Sequence, residues 1–195
     1  AAHGGFNLFS FKKNGDILNE PIIMAPEKMT QLNKNLILVF TGFSRTASDI
    51  AKYQIANIRE RYLELKKMSE LTSEAVSILA NKSQDIDDFG KLLDIQWTLK
   101  KELSSYVTNK TIDDIYQVAI DNGALGGKLL GAGSGGFMLL YVPPGMQNKI
   151  RSALKDFLIF DFNFELEQPE ICTTLKQLEL NSQSLKTISK KSWTV

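Results

Sequence analysis

The sequence is poor in the residues from which redox and metal centres are built. Its 195 residues include one cysteine, Cys172, and one histidine, His3. A lone cysteine cannot form an internal disulfide, and a lone histidine cannot build a histidine-based metal cluster. Cys172 also lacks a histidine partner for a nucleophilic dyad, so we expect it to behave as a small buried hydrophobe. These absences predict a reducing, cytoplasmic compartment and no metal site in this chain.

An excess of charge and long hydrophobic runs are also missing. The chain has 23 Lys and Arg against 22 Asp and Glu, so its formal charge of +1 gives no broad basic field for nucleic acid or anionic lipid. The clearest apolar runs, residues 36–40 and 137–142, are much shorter than the ~20 residues of a membrane span. No signal peptide is recognisable. We therefore predict no nucleic-acid partner and no membrane association, and any anion binding must be local.

Length and composition fit one folded domain. The chain is 43% hydrophobic and 23% charged, and a domain of this length buries roughly 70% of its unfolded surface without needing a disulfide or metal staple. The first residue is Ala1 and not Met, which is what a piece of a longer chain would show. We expect a domain over residues 1–166 and a tail of unclear order over residues 167–195.

Hydrophobic patterning predicts a mixed fold. A β-hairpin is expected over residues 5–24, because Asn14-Gly15 can supply the two positive φ values of a tight turn. Further strands are predicted at residues 36–40, 137–142 and 159–166, the last from strict alternation of apolar and polar side chains. Four helices are expected between residues 48 and 122, and a fifth over residues 146–157. This order favours an α+β fold with a largely antiparallel sheet of four to five strands and a helical block on one face.

Helix boundaries are predicted from caps and from periodicity. The first helix is expected to begin near Ser48 and to continue through Leu65, and the second to begin near Met68. Asp85 is predicted to cap the third helix, and Thr111 to open the fourth with a sequence similar to a capping box. Asn122-Gly123 should end that helix.

Glycine is concentrated in one short stretch, since seven of the 13 glycines lie between Gly123 and Gly136. Such a cluster is expected where the backbone must curl or let a ligand approach closely. The P-loop does not fit, because Leu129 follows Lys128 where a Ser or Thr is needed. The dinucleotide fingerprint does not fit either, because the helix precedes the glycines and the strand follows them. The stretch is either an anion-binding nest with Lys128 as a point charge or a tight connection packed against its own domain.

Residues 123–136, Gly-Ala-Leu-Gly-Gly-Lys-Leu-Leu-Gly-Ala-Gly-Ser-Gly-Gly, resemble the third conserved motif of the GHMP kinases. That superfamily includes galactokinase, homoserine kinase, mevalonate kinase and phosphomevalonate kinase. The resemblance implies a ferredoxin-like carboxy-terminal kinase domain, in which this motif turns toward the nucleotide phosphates in a cleft between two domains. The residues that it places along the cleft are Gly126, Gly127, Lys128, Gly131, Gly133, Ser134, Gly135 and Gly136. Ser134 stands where many relatives have another glycine.

A second segment, residues 41–50, runs from a predicted strand into a predicted helix. Arg45 can offer bidentate hydrogen bonds to a phosphate beside the free amides of the helix start, or it is a solvated side chain next to an ordinary cap. Together with Gly4-Gly5-Phe6-Asn7, the segment resembles sugar kinases that act on D-glycero-D-manno-heptose 7-phosphate. The resemblance implies a 1,7-bisphosphate product and makes Arg45, Gly4, Gly5 and Asn7 candidates for substrate binding, with Arg45 on the existing phosphate.

The resemblance covers residues 1–166 and corresponds to the carboxy-terminal half of such a kinase. Phosphoryl transfer needs phosphate-cradling amides, magnesium ligands and a group that orients the attacking hydroxyl. The GHMP phosphate loop does not occur in this sequence, and the aspartate proposed as the base in heptose kinases lies just upstream of the segment matching residues 1–5. We therefore expect no catalytic residue in this chain and no kinase activity without an amino-terminal half, with the hairpin at the junction. ATP and Mg²⁺ would be cofactors of the complete enzyme.

Two clusters of carboxylates are candidate magnesium ligands. They comprise Asp85, Asp87 and Asp88 in one cluster, and Asp113 and Asp114 in the other. Both clusters lie at predicted helix starts, where the helix dipole favours acids, so capping is the preferred interpretation. His3 is terminal and isolated, and we expect it to have no role as a base.

The alternative function is a noncatalytic small-molecule-binding or oligomerisation module that keeps the same fold. An upstream reading frame encoding the phosphate loop would support the kinase, whereas a start codon at this point would favour the module. A nucleic-acid binder on a ferredoxin-like sheet is disfavoured by the charge and by the lack of an aromatic-basic strand signature. A domain separated from its partner should expose apolar surface, so we also expect self-association into homo-oligomers.

Overall fold

The computed structural model describes residues 4–42 and 47–164, with the backbone alone for residues 47–50. The strands are β1 (Asn7–Phe11), β2 (Ile17–Pro21), β3 (Leu36–Phe40), β4 (Gly126–Leu129), β5 (Phe137–Tyr141) and β6 (Ile159–Phe160). The helices are α1 (Pro26–Asn35), α2 (Ala47–Ala56), α3 (Tyr62–Ala80), α4 (Asp87–Glu102), α5 (Lys110–Asp121) and α6 (Pro144–Ala153). Within these ranges, no helix combines the length and the apolar character needed to cross a membrane.

The predicted hairpin is present, but its turn differs from the expected one. Strands β1 and β2 pair antiparallel, with Phe11 opposite Ile17. The amide of Lys12 donates to Asp16 O at 2.9 Å, and of the Asn14-Gly15 pair Gly15 alone has a positive φ, 92°. The turn is therefore longer than the two-residue type, because the Asn14 side chain accepts from the Asp16 amide at 3.1 Å and stabilises a wider loop. The hairpin forms a sheet of its own, and every residue of β2 is exposed.

The main sheet has four strands in the order β4-β5-β3-β6, and each neighbouring pair is antiparallel. The α+β architecture with an antiparallel sheet is thus confirmed. Successive residues of a strand face opposite sides, and accordingly Met138 and Leu140 belong to one buried cluster while Tyr141 belongs to another. Helices α5 and α6 contribute to the first cluster, α1 and α3 to the second, and α4 to both. The helices, expected on one face, divide between both faces, as the continuous apolar run of β5 requires.

Two helix boundaries differ from the sequence expectation. Helix α2 ends at Ala56 and α3 begins at Tyr62, so the expected junction near Met68 lies inside α3. Hydrophobic periodicity does not reveal the break between the two helices, because apolar residues continue through it. Asn57 lies in this break and donates from Nδ2 to Leu103 O at 3.0 Å. Helix α5 is capped by Asn109, whose side chain accepts from the Ile112 amide at 3.1 Å, so the predicted start at Thr111 was wrong by one residue.

Two further segments were misjudged. Helix α1 begins at Pro26, a residue suited to a first turn, in a stretch that showed no clear pattern in the sequence. Strand β6 has two residues instead of the predicted eight, because the chain then leaves the sheet and packs its aromatic rings. The rings of Phe162 and Phe164 pack edge to face with their centroids 5.6 Å apart, and the centroids of the Phe164 and Phe6 rings are 4.6 Å apart. The rest of the predicted strand, the tail with Cys172, and His3 lie outside the described residues.

Among the described residues, the helices leave one half of a sheet face uncovered. This half lies on the sheet face that carries Tyr141, at the end of the sheet nearest the β4–β5 connection. There Leu139 of β5 pairs with Lys128 of β4 on one side and with Leu38 of β3 on the other, and Phe137 pairs with Phe40. Phe160, opposite Leu38, is 43% exposed, and Phe137 is 38% exposed. We call this surface the open half-face; its members are Leu38, Phe40, Lys128, Phe137, Leu139 and Phe160.

Candidate functional site

The glycine-rich stretch divides into a strand and a loop. Residues 126–129 form β4, although the sequence favoured a loop throughout. A Cβ added to Gly126 would lie 2.1 Å from Gly90 O of α4, and one added to Gly127 would lie 2.5 Å from Leu139 O of β5. These two glycines are therefore needed for close packing of a helix and a strand around β4, and the loop proper spans residues 130–136.

Hydrogen bonds donated to carbonyl oxygens hold the loop in place. Lys100 Nζ donates to Leu129 O at 3.0 Å and to Gly131 O at 2.6 Å, and Gln54 Nε2 of α2 donates to Ala132 O at 2.9 Å. At the far end, Gly136 O accepts from both the amide and the hydroxyl of Thr41, at 3.0 and 2.9 Å. Side chains or backbone from three parts of the chain thus fix the direction of the loop carbonyls.

Most amide groups of the loop donate to no residue in the part of the chain that the structure describes. The amides of Leu130 and Ser134 donate to Phe137 O and Val107 O, at 2.9 and 2.7 Å. The other loop amides donate to no acceptor within residues 4–42 and 47–164; they belong to Gly131, Ala132, Gly133, Gly135 and Gly136. Ser134 takes a φ of 65°, a left-handed conformation of the kind that aims neighbouring amides into one concavity. A loop in which three carbonyls are occupied and five amides are available suits an anion.

Described residues on both sides of Arg45 contact this loop. Thr41 precedes Arg45 and contacts Gly136, while Gln54 follows Arg45 and contacts Ala132. Arg45 itself lies outside the described residues. The chain on both sides of the arginine is therefore anchored to the glycine loop, and this relation is not evident from the sequence, in which 75 residues separate Ile50 from Gly126.

The third predicted group, at the start of β1, forms a closed turn. Asn7 Nδ2 donates to Gly4 O at 2.6 Å and to Gly5 O at 3.4 Å, and both glycines have a φ near 60°. In the described part of the chain, no hydrogen bond links this turn to the glycine loop. The structure therefore brings the segment around Arg45 to the loop, whereas the Asn7 amide is occupied in shaping its own turn.

Two neighbouring lysines lie near this part of the sheet, and only Lys128 was predicted from the sequence. Burial, with a smaller effect from the charge of nearby Lys128, lowers the pKa of Lys100 from 10.5 to about 8. Burial also lowers the pKa of Lys128. Lys100 is the one that bonds to the loop, whereas Lys128 projects from the open half-face. The sequence does not identify Lys100 as a support of the loop, because it lies on an amphipathic helix 29 residues before Leu129 and no local motif marks it.

The carboxylates have structural partners. Asp87 accepts from the hydroxyl of Tyr141 at 2.7 Å, Asp88 pairs with Lys91, and Asp114 pairs with Lys110. Asp85 accepts from the Asp87 amide at 3.0 Å and Asp113 from the Thr108 hydroxyl at 2.9 Å. Among the described residues, no group of three or more His, Cys, Asp or Glu side chains is arranged to hold a metal ion. These carboxylates do not fit a magnesium site, and we assign no step to a metal held by them.

Comparison with known proteins agrees with this geometry. Residues 75–159 match the family model described as GHMP kinases C terminal. They include α4, α5, the glycine loop and β5, which together frame the candidate site. Residues 75–159 are therefore similar to the carboxy-terminal domain of the GHMP kinases, and the resemblance seen in residues 123–136, which lie inside this region, is confirmed.

Among individual relatives, the D-glycero-alpha-D-manno-heptose 7-phosphate kinase of Campylobacter jejuni is 32% identical over 172 residues, which are 86% of this chain and 50% of that protein. A mevalonate kinase of Pyrococcus abyssi is 28% identical over 80% of this chain and 44% of its own length. The crystal structure of L. major mevalonate kinase superposes with a TM-score of 0.63 at 22% identity, covering 79% of this chain and 45% of that one. The chain thus spans about half the length of the curated heptose kinase that it matches.

Proposed function

We propose that this chain is the carboxy-terminal half of an ATP-dependent sugar kinase that phosphorylates a sugar phosphate, with D-glycero-D-manno-heptose 7-phosphate as the substrate. The observation that carries the proposal is the loop over residues 130–136, in which Lys100, Gln54 and Thr41 hold three carbonyls while five amides donate to no described residue. The relationship to the Campylobacter jejuni heptose 7-phosphate kinase supports the substrate.

In this proposal, the amides of the loop bind the phosphate oxygens of ATP. Amides fixed before the reaction stabilise negative charge that develops during transfer, because they need no reorganisation when it appears. Lys100 keeps the loop carbonyls turned away from the nucleotide. Arg45, on the segment anchored to the same loop, holds the phosphate already present on the sugar.

The chemical step also needs groups that we place outside the described residues. A sugar hydroxyl oxygen attacks the γ-phosphorus, the bond to the bridging oxygen of ADP breaks, and the hydroxyl proton passes to a base. The base, the phosphate loop and the protein ligands of Mg²⁺ are assigned to an amino-terminal half. We accordingly expect the purified chain to be inactive and a complete two-half kinase to be active.

A chimaera tests the proposal. The chain would replace the matching half of the Campylobacter jejuni kinase, and ATP-dependent phosphorylation of D-glycero-D-manno-heptose 7-phosphate would be measured, with mevalonate as a second acceptor. We expect transfer to the heptose phosphate, and strong loss of it in a Gly135→Pro chimaera, which removes a loop amide. A folded chimaera without transfer to either acceptor would favour a noncatalytic module, and transfer to mevalonate alone would exclude the proposed substrate.

A further inference from the structure

A cavity of about 640 Å³ lies between the hairpin, α3, α4 and the edge of the main sheet. Strand β1 forms one wall with Phe9 and Phe11, and α3 forms another with Ser69 and Ser73. Lys128 reaches it from the open half-face. The volume lies within the range of 300–1,000 Å³ typical of small-molecule sites.

Lys128 has no counter-charge in the part of the chain that the structure describes. No hydrogen bond or ion pair involves its Nζ within those residues, and the described residues that line the cavity include no carboxylate. Its neighbour across the strand is Leu139, and its charged neighbour, Lys100, has the same sign. An ammonium group that is half-buried and left unpaired costs free energy, which a bound anion would offset.

The remaining polar groups of the cavity suit the same kind of ligand. The hydroxyls of Ser69 and Ser73 are hydrogen-bond donors that hold no partner among the described residues. Gln96 is 8% exposed and its Nε2 donates one hydrogen to Met68 O at 2.9 Å, which leaves the second hydrogen of that nitrogen. One cation with several neutral donors matches a phosphate group, whereas Phe9 and Phe11 offer apolar surface to the carbon skeleton that bears it.

We propose that this cavity binds a phosphomonoester, with Lys128 as the cationic centre, the α3 hydroxyls and Gln96 as donors, and the β1 phenylalanines against the organic part. The site is distinct from the loop amides, because Lys128 projects from the sheet face toward α3 and the hairpin, whereas Lys100 is the lysine that bonds to the loop. The choice of a heptose phosphate as one probe rests on the proposed kinase function, but the site itself does not depend on transfer activity.

Binding to the full chain tests the site directly. Titrations would use D-glycero-D-manno-heptose 7-phosphate, inorganic phosphate and ATP, each followed by calorimetry and by the NMR signals of the lysine side chains and of the α3 amides. We expect the heptose phosphate to bind, to shift the Lys128 and Ser73 signals, and to bind more tightly than inorganic phosphate. Equal binding of inorganic phosphate would still support the anion site and would identify free phosphate as the ligand.

Three variants make the test specific. Lys128→Gln should weaken heptose phosphate binding by about tenfold or more, as expected for loss of a hydrogen bond to a charged group, while Lys128→Arg should retain most of it. Ser73→Glu, at an exposed helix position, places a carboxylate in the cavity and should abolish the ligand-induced shift of the Lys128 signals without altering the lysine itself. Lys149→Gln, on exposed α6, is the control and should bind as the parent does.

The proposal is overturned if neither phosphate compound shifts the Lys128 signals, or if binding survives both Lys128→Gln and Ser73→Glu unchanged. It is also overturned if ATP alone binds in the cavity. Each of these results leaves the chimaera assay unaffected, so failure of this site and failure of the kinase assignment can be distinguished.

Discussion

Lys100 and Gly131 are joined by a hydrogen bond of 2.6 Å, in which the ammonium group of a buried lysine donates to a carbonyl near the start of the glycine loop. A second bond from the same nitrogen reaches Leu129 O. The lysine lies on α4, and the two carbonyls lie at the end of β4 and the start of the loop, so these bonds attach the loop to the helix that packs against β4. The order of the loop should therefore depend on Lys100.

Replacing Lys100 with methionine should destabilise the protein and loosen the loop. The variant keeps the buried alkyl chain but leaves two carbonyls without their donor, so we expect a loss of about 1–3 kcal/mol in the free energy of unfolding. Urea denaturation measures the loss, and faster hydrogen exchange at residues 130–136 locates it. Lys91→Met, at an exposed position of the same helix, should change stability by no more than about 0.5 kcal/mol. Equal effects of the two variants would contradict the role given to Lys100.

The depressed pKa of Lys100 has a consequence for stability. Its pKa is about 8 in the folded state and 10.5 ordinarily, so between these values the unfolded chain binds more protons than the folded chain. The contribution of Lys100 to the free energy of unfolding should therefore rise from pH 8 toward pH 10.5 and fall as pH drops through 8. The difference in unfolding free energy between the parent and Lys100→Met, measured across that range, isolates this contribution. A difference that stays constant would show that Lys100 titrates normally.

Lys128 contributes to that depression, which gives a separate test. Removing its charge in Lys128→Gln should raise the pKa of Lys100, although burial will keep it below 10.5. Side-chain NMR titration of Lys100 measures the shift. The same titration in Lys149→Gln should reproduce the parent curve, and an unchanged pKa in Lys128→Gln would show that the two ammonium groups do not interact.

Gly126 and Gly145 provide a matched pair of glycine-to-alanine substitutions. A Cβ at Gly126 would meet Gly90 O at 2.1 Å and Asp94 N at 2.8 Å, so Gly126→Ala must separate α4 from β4 and should cost at least about 2 kcal/mol. Gly145 lies in α6 with open space where its Cβ would be, and Gly145→Ala should stabilise the helix by up to about 1 kcal/mol. Thermal denaturation compares the two, and similar stabilities would refute the packing role of Gly126.

Self-association through the hairpin remains a prediction. Phe11 is 77% exposed and lies opposite Ile17, which is 58% exposed, so the hairpin presents paired apolar side chains to solvent. We expect sedimentation to show concentration-dependent association that Phe11→Ser reduces. Leu63→Ser, at a 75% exposed position of α3, is the control and should leave association unchanged. Monodisperse monomers at high concentration would argue against the prediction.

Local signals accounted for much of the fold. Strand β3 and the hairpin strands follow from their apolar and β-branched residues, and the glycine-rich stretch was correctly singled out as unusual. Strand β4 was missed because Gly126 and Gly127 have low strand propensity, and their presence is explained only by the close approach of α4 and β5. Strand β4 is thus determined by its tertiary packing against α4 and β5, which the sequence around it does not indicate.

In the candidate site, too, local sequence predicts one part and tertiary packing determines the rest. The loop was predicted from its glycines, but its supports, Lys100 and Gln54, lie on helices far away in the sequence. Lys128 was predicted as the point charge of the loop, and the structure instead places it on the open half-face beside a cavity. A strand rotates successive side chains to opposite faces, so a lysine two residues before the loop need not point into it.

The most direct measurement is an NMR titration of the full chain with ATP that follows the amide signals of the loop. We predict saturable shifts at Gly131, Ala132, Gly133, Gly135 and Gly136, and none in the exposed strand β2. Saturable shifts elsewhere in the chain, or no shift in any of these five amides at millimolar ATP, would contradict the assignment of this loop to the phosphates of a nucleotide.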